Sequence, residues 1–184
     1  MSDARGRVRE HLLSHSVMRG DFVLKSGRRS TWFIDSKQTI CAPEAMVDLA
    51  TLVLEAIPED ATAIGGLTMG ADGVSFITAG VAAERGRLLR AFSVRKEVKD
   101  HGGGGRIAGV LEPGDRVVIT EDTVTRGTSL LEAAHVAQAA GAEVVLILAV
   151  VDRGGTAGAM TAKEGLQFAA LFSAPDLGFD YEGA

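Results

Sequence analysis

The sequence predicts an α/β fold in which helices cover a parallel sheet, and two patterns support that prediction. From about residue 62 onward, short apolar runs alternate with amphipathic segments, which is typical of β–α–β units. One apolar run leads directly into a loop rich in Thr, Gly and Ser that opens the next helix, VVITEDTVTRGTS at 117–129. Because the chain has 184 residues, of which 46% are hydrophobic, we expect a single domain over 1–184 with one complete core.

The first 36 residues predict a small N-terminal subdomain, which we call the hood (1–36), in front of a core at 37–184. Apolar residues recur at helical spacing from Arg5 to Met18 and predict a helix. Two short extended runs follow at 21–25 and 31–35, and a Ser-Gly turn separates them. A helix and two short strands are therefore expected before the core begins.

The core is expected to begin with a helix and to continue as alternating strands and helices. Pro43 fits the first turn of a helix that ends near Pro58. The single cysteine, Cys41, has no Cys or His cluster around it, so we expect neither a disulfide nor a zinc site and interpret it as a small buried residue. The later elements are predicted as strands near 62–67, 88–94, 116–121, 144–151 and 167–172, and as helices near 71–84, 127–140 and 156–164.

The loop at 125–129 has the composition of a phosphate site. It follows a buried strand and opens a helix, where unpaired backbone N–H groups and the positive end of the helix dipole favour an anion. The hydroxyls of Thr125, Thr128 and Ser129 would add donors, and Gly127 would let the backbone approach the ligand. Neither a Walker pattern nor a GxGxxG turn is present, which disfavours a nucleotide triphosphatase or a dinucleotide enzyme.

Two acids, Glu121 and Asp122, stand between that strand and the phosphate loop. Carboxylates repel phosphate unless they bind something else, and ribose hydroxyls or a Mg²⁺ ion shared with the ligand are the natural candidates. A helix-capping pair on a solvated turn is the alternative interpretation. Their position directly after a buried strand favours a ligand site, because open α/β sheets bind ligands there.

The net charge of −5 gives no overall attraction for nucleic acid, so an anion must be bound by local basic residues. Such residues form two clusters, Lys25 with Arg28 and Arg29, and Arg95, Lys96, Lys99 and His101 with Arg106. Solvated surface is the usual fate of such clusters, but their coincidence with a phosphate loop favours a site. No apolar run approaches ~20 residues and no signal-like segment follows Met1, so we expect a cytoplasmic protein with no membrane contact.

The segment at 96–105 is predicted to be a mobile loop. Four consecutive glycines at 102–105 cannot hold one conformation without a large loss of entropy. A flexible hairpin tip is the purely structural alternative. Basic residues on a mobile loop suit an enzyme that covers its substrates, excludes water and then releases product.

Three motifs resemble those of a known family. The stretch at 117–129 resembles the phosphoribosyl pyrophosphate (PRPP) motif of the type I phosphoribosyltransferases. Two others resemble the mobile-loop signature and the N-terminal segment of the orotate phosphoribosyltransferases, RKEVKDHG at 95–102 and KSGRRSTWFID at 25–35. The motifs occur in the family's order, and the resemblance covers nearly the whole chain.

This resemblance implies a type I phosphoribosyltransferase fold, a parallel sheet with flanking helices and a small hood. It implies transfer of the phosphoribosyl group of PRPP to N1 of orotate, with orotidine 5′-monophosphate and pyrophosphate as products. The implied cofactor is Mg²⁺ carried by PRPP, and the implied assembly is a homodimer whose loop 96–105 acts on the neighbouring subunit. A purine-type phosphoribosyltransferase is one alternative, but it gives no reason for RKEVKDHG. A regulator that senses PRPP or nucleotides without catalysis is the other.

The resemblance also implies a role for individual residues. It makes Lys99 and Asp122 catalytic, and it assigns orotate to Arg153, to the backbone near Phe33 and Ile34, and to the hydroxyl of Thr125. A strand-capping surface charge is the alternative for Arg153. The residues implied to bind PRPP are Lys25, Arg95, Lys96, Lys99, His101, Glu121, Asp122, Thr123, Val124, Thr125, Arg126, Gly127, Thr128 and Ser129.

The chain departs from the family pattern in the loop after the first sheet strand. Gly70 stands where many family members carry a lysine, so we expect backbone N–H groups of 68–70 to contact pyrophosphate there. In the phosphate loop, Arg126 and Thr128 replace the commoner Thr and Gly.

Overall fold

A computed structural model describes residues 3–23, 27, 29–98 and 105–182 and confirms the predicted α/β architecture. A six-stranded sheet forms the centre of the core, and a two-stranded antiparallel sheet precedes it in the chain. The elements are α1 (Ala4–His11), a π-helix (Leu12–Ser16), β1 (Val17–Val23), β2 (Arg29–Ile34), α2 (Lys37–Ile40), α3 (Pro43–Ala56), β3 (Ala63–Leu67), α4 (Gly70–Glu84), β4 (Arg90–Val94), β5 (Ile107–Gly109), β6 (Arg116–Val124), α5 (Thr128–Ala139), β7 (Glu143–Asp152), α6 (Ala157–Ala162), β8 (Phe168–Ser173) and a 3₁₀ turn (Pro175–Leu177).

The six strands are arranged in the order β5-β4-β3-β6-β7-β8. The strands β4, β3, β6, β7 and β8 are parallel, as predicted. Helices connect β3 to β4, β6 to β7 and β7 to β8, as parallel pairing requires. The short strand β5 runs antiparallel to β4 at the edge, a pairing that the sequence did not predict. The parallel arrangement brings the carboxyl ends of β3, β4, β6 and β7 to one edge of the sheet, where α/β folds bind ligands.

The sheet is buried on both faces. Successive residues of β6 alternate between two core clusters: Val118 packs in the cluster that contains Leu49 of α3, and Ile119 packs in the cluster that contains Ala134 of α5. Such double burial explains the near-continuous apolar runs in the sequence. None of the helices in the described ranges is long and apolar enough to span a lipid bilayer.

A close approach between β3, β6 and α4 depends on Gly66. A Cβ atom at this position would overlap the carbonyl oxygen of Thr120 and lie 2.7 Å from the Cβ of Ala71. Thr120 immediately precedes the two acids of β6, and Ala71 lies in the first turn of α4. The missing side chain therefore lets the start of α4 pack beside the acidic end of β6.

The helix predicted from Arg5 to Met18 ends earlier than expected. Its α-helical part stops at His11, a π-helical turn follows, and Val17 and Met18 already belong to β1. These two residues pair with Ile34 and Phe33 of β2, so strand pairing prevails over helical spacing. The structure also contains α2 and the 3₁₀ turn, which the sequence did not predict.

Strand β6 extends beyond its predicted end at residue 121. It continues to Val124 because its second half pairs with β7, with Glu121 opposite Ala149 and Thr123 opposite Val151. Glu121 and Asp122 thus lie within the strand and do not form the solvated capping pair that we considered. Cys41 is exposed, so its interpretation as a buried residue is wrong.

We expect Gly66→Ala to destabilise the protein by about 1–3 kcal/mol, because the added methyl group must separate β6 from α4. Gly80→Ala is the matched control, since the space around this exposed helical glycine is open. Alanine favours helix over glycine by about 0.5–1 kcal/mol, so the control should be stabilised. Urea unfolding measures the stability of both variants against that of the wild type. An unchanged midpoint for Gly66→Ala would contradict the close packing of β3, β6 and α4.

Candidate active site

A cavity of about 760 Å³ opens where β6 and β7 end and the β1–β2 hairpin begins. It unites many of the residues that the sequence singled out, from the acidic end of β6 through the phosphate loop to Arg153. The lining residues are Met18, Phe22, Val23, Phe33, Glu121, Thr123, Val124, Thr125, Arg126, Gly127, Thr128, Ser129, Leu130, Arg153 and Glu182. Ile34, whose backbone we expect to contact orotate, is buried next to the lining residue Phe33.

The phosphate loop forms the polar floor of this cavity. Gly127 has a φ of +97°, a left-handed conformation that side chains disfavour, and it caps the N-terminus of α5. Within the described part of the chain, no side-chain hydrogen bond caps the N-terminus of α5. The N–H groups of this turn lack partners within the helix and are aligned with its dipole, so the loop is suited to an anion.

The loop after β7 is fastened to the phosphate loop. The N–H group of Arg153 donates to the carbonyl of Val124 at 2.8 Å, and the hydroxyl of Thr156 donates to the carbonyl of Thr125 at 3.0 Å. A Cβ atom on Gly154 would overlap that same Thr125 carbonyl. This packing fixes Arg153 beside the phosphate loop.

The two acids of β6 are buried, with about 8% of each residue exposed. Asp122 has an ion pair with Lys37, and its Oδ2 atom also accepts a hydrogen bond from Ser36 at 2.9 Å. Its Oδ1 atom accepts from the N–H group of Thr123 at 2.8 Å. Burial acts to raise the pKa of Asp122, but the hydrogen bond and charge of Lys37 outweigh it and lower that pKa below its ordinary value.

Glu121 is in the opposite electrostatic situation. Burial, with the neighbouring charge of Asp122, raises the pKa of Glu121 to about 8. Its carboxyl group fills the space that a side chain at Gly70 would need, because a Cβ there would overlap Oε1 of Glu121. At neutral pH the pair therefore combines a mostly protonated Glu121, which can donate a hydrogen bond, with an ionised Asp122, which accepts them.

Arg153 lines the cavity next to the phosphate loop and contacts β2 of the hairpin. Its Nη2 atom donates to the carbonyl of Trp32 at 2.8 Å and forms an ion pair with Glu182. Its guanidinium lies over the ring of Trp32, 4.8 Å from the centroid. Burial lowers the pKa of Arg153, although the charge of Glu182 opposes this effect. The arginine is thus a buried, oriented group and not the surface charge that we considered.

The basic loop is only partly described. Arg95 follows β4, and its N–H group donates to the carbonyl of Arg106 at 2.7 Å across the base of the loop. Lys96 is exposed, and neither Arg95 nor Lys96 lines the cavity. Lys25, Lys99 and His101 lie outside the described residues, so their roles stay predictions.

Sequence reasoning missed Lys37, Ser36 and Glu182. Ser36 and Lys37 directly follow the KSGRRSTWFID motif, so a longer motif would have included both. Their contacts with Asp122 span more than 80 residues of chain, and no local pattern indicates such pairs. Glu182 likewise meets Arg153 only in the folded chain.

Comparison with known proteins gives full-length matches. No protein-family model matches the chain. The orotate phosphoribosyltransferase of Streptomyces avermitilis is 37% identical over 182 residues, which cover 98% of this chain and 100% of that protein. A crystal structure of Mycobacterium tuberculosis H37Rv orotate phosphoribosyltransferase has a TM-score of 0.85 at 35% identity, covering 96% of this chain and 99% of that one. The same enzyme in complex with PRPP has a TM-score of 0.81 at 34% identity, with the same coverage.

We expect Glu121→Gln, which mimics the protonated side chain, to change how stability depends on pH. Between pH 4.5 and about 8 the folded protein holds a proton on Glu121 that the unfolded chain releases, so wild-type stability falls as pH rises through this window. The variant lacks this contribution. The melting temperature of the variant minus that of the wild type should therefore increase from pH 5 to pH 8.

Asp122 does not interfere in that window, because its lowered pKa costs stability only below its ordinary value of 3.8. Glu59→Gln, at an exposed glutamate, controls for the loss of one carboxylate. Parallel curves for the wild type and Glu121→Gln would contradict the assignment of a protonated Glu121.

Proposed function

The chain belongs to the orotate phosphoribosyltransferase family, and we propose that it transfers the phosphoribosyl group of PRPP to N1 of orotate, releasing pyrophosphate. The observation that carries the proposal is the set of groups that one cavity brings together. Glu121 of the buried acid pair, the N-terminus of α5 and the buried Arg153 all line it, and Asp122 lies directly behind Glu121 in the strand without lining it. These groups are complementary to the ribose, the 5′-phosphate and the anionic base.

In this proposal the phosphate loop holds the 5′-phosphate through the N–H groups of α5 and the hydroxyls of Thr125, Thr128 and Ser129. Glu121 and Asp122 hold the ribose hydroxyls. The protonated Glu121 now hydrogen-bonds to the ionised Asp122. Ribose hydroxyls, which both donate and accept, would replace this contact and use the donor of Glu121 and the acceptors of Asp122.

Catalysis would be mainly electrostatic. As the bond from C1 to pyrophosphate breaks, positive charge grows on the ribose and negative charge grows on the leaving group. The ionised Asp122 is suited to stabilise the ribose, and the basic residues of the loop are suited to stabilise pyrophosphate. We propose Arg95, Lys96, Lys99 and His101, with Lys25 from the segment before β2, as the groups that hold pyrophosphate.

Orotate would bind between Arg153, Phe33 and the hydroxyl of Thr125. Arginine suits a carboxylated pyrimidine because its planar fork donates several hydrogen bonds in fixed directions. Phe33 lies beside the guanidinium, whose Cζ atom is 5.7 Å from the ring centroid, and offers an apolar surface to a flat base.

We propose that Mg²⁺ enters with PRPP. Within the described ranges, no three His, Cys, Asp or Glu side chains gather into a possible metal centre. The Oδ2 atom of Asp122 is engaged by Lys37 and Ser36. Phosphate oxygens would therefore supply most ligands of the ion, which would neutralise charge on the leaving pyrophosphate.

We further propose a cytoplasmic homodimer in which loop 96–105 of one subunit covers the site of the other. Two exposed apolar side chains of the α4 region support an interface, Met69 just before the helix, 73% exposed, and Phe76 in its second turn, 52% exposed. A two-fold interface there would create two equivalent shared sites.

The assay for the proposed reaction is pyrophosphate release from PRPP in the presence of different bases. We expect release with orotate and none with adenine, guanine, hypoxanthine or uracil, because none of these bases carries the carboxylate that Arg153 would bind. Arg153→Ala should greatly raise the orotate concentration needed for release. Release with a purine and not with orotate would show that the proposal is wrong.

Subunit mixing tests the shared site. Lys99→Ala should lower turnover by ~10²-fold or more, the scale of one lost electrostatic contact, and Asp122→Asn should also be nearly inactive. When the two variants exchange subunits, half of the dimers become hybrids with one intact site of two, so about a quarter of wild-type activity should return. Lys163→Ala, at an exposed lysine in the turn after α6, is the control that should stay active. Verified exchange without recovery would mean that the loop acts within its own subunit.

A further inference from the structure

The segment at 179–182 crosses from the β1–β2 hairpin to the loop after β7. Phe179 stacks on Trp32, with ring centroids 4.4 Å apart and planes 11° apart. Tyr181 packs against Gly155, where a Cβ atom would lie 2.8 Å from the tyrosine ring. The N–H group of Glu182 donates to the carbonyl of Arg153 at 2.9 Å. The segment is therefore fixed at three points, on Trp32, Gly155 and Arg153.

Its last described residue places a carboxylate on the arginine that we assign to the base. The Glu182 side chain is 15% exposed and the Arg153 side chain 7% exposed, so their ion pair is largely withdrawn from water. The hydroxyl of Ser30, the second residue of β2, also donates to the Glu182 carboxylate. Both members of the ion pair line the cavity.

The described contacts of the guanidinium all use one of its nitrogens. Nη2 meets Glu182, the carbonyl of Trp32 and, at 3.3 Å, the hydroxyl of Ser30. Among the described residues, the buried Nε atom has no hydrogen-bond partner. An incoming carboxylate that binds this cation must therefore displace Glu182 from Nη2 or share the guanidinium with it. Two carboxylates next to the same buried guanidinium repel each other strongly, because little water is present to screen them.

We propose that Glu182 is a specificity-determining residue, an internal counter-ion of Arg153 with which the carboxylate of an anionic pyrimidine must compete. This inference rests on the proposed function. A neutral base cannot compete for the guanidinium, so it leaves the pair closed. A carboxylated base keeps the buried Arg153 cation paired, while the Glu182 carboxylate, the more exposed member of the present pair, would turn toward water.

Glu182→Gln tests the proposal, because it removes the charge and keeps the size and the backbone contact. We expect the KM for orotate to fall by about ten-fold, corresponding to the loss of one competing buried charge, while the KM for PRPP changes less than about two-fold. Asp180→Asn is the matched control, since it removes an exposed carboxylate from the same segment, outside the cavity lining. It should leave both constants unchanged.

Melting temperatures with and without orotate provide a second measurement that needs no turnover. Glu182→Gln leaves Arg153 buried without its counter-ion, so the unliganded variant should melt lower than the wild type. Orotate should then raise its melting temperature by more than it raises that of the wild type, because tighter binding stabilises more. If Glu182→Gln does not fold, Glu182→Asp carries the same expectation with a smaller effect, since its shorter side chain weakens the pair.

The competing role for Glu182 is to orient Arg153 for the substrate. In that case Glu182→Gln would raise the KM for orotate and shrink the thermal shift, and this result would overturn the proposal. Unchanged values would overturn it as well. Absence of orotate-dependent pyrophosphate release by the wild type would instead contradict the proposed function, and the thermal shifts of the wild type and variant would still decide whether Glu182 competes with a carboxylate.

Discussion

The burial of two adjacent carboxyl groups in β6 is the constraint around which this site is built. A buried carboxylate without a partner is strongly unfavourable, and two in contact are worse. The structure resolves this with one ion pair and one proton: Lys37 neutralises Asp122, and Glu121 keeps its proton in the space beside Gly70. Because Lys37 begins α2 and Gly70 begins α4, the acids join both helices to the central strand.

Most charged groups in and next to the cavity already have a partner of opposite charge. The acid pair has its lysine and Arg153 has Glu182, whereas no side chain among the described residues caps the helix that begins at Thr128. A phosphate therefore finds a ready site at this helix, whereas the other parts of a ligand must compete with existing contacts. Such exchange limits binding to molecules that satisfy several groups at once, because each displaced contact must be replaced.

Local patterns predicted the alternating core, since buried parallel strands and amphipathic helices have distinct apolar periods. They failed where tertiary pairing decides the conformation. Glu121 and Asp122 are poor strand residues, yet they extend β6 because β7 runs alongside. Val17 fits a helical spacing and lies in a strand because Ile34 pairs with it. The phosphate loop and Arg153 could be predicted from strand ends and motifs. Lys37 and Glu182 could not, because each reaches its partner across a long stretch of chain.

Gly70 and Glu121 occupy one shared volume, and this restricts how the sequence can diverge. Any residue with a Cβ atom at position 70 would overlap the Glu121 carboxyl group, so that group must first move or become shorter. The effect of a substitution at position 70 should therefore depend on which residue occupies position 121. A shorter side chain at 121 would make room for a larger one at 70, so the two positions are expected to vary together.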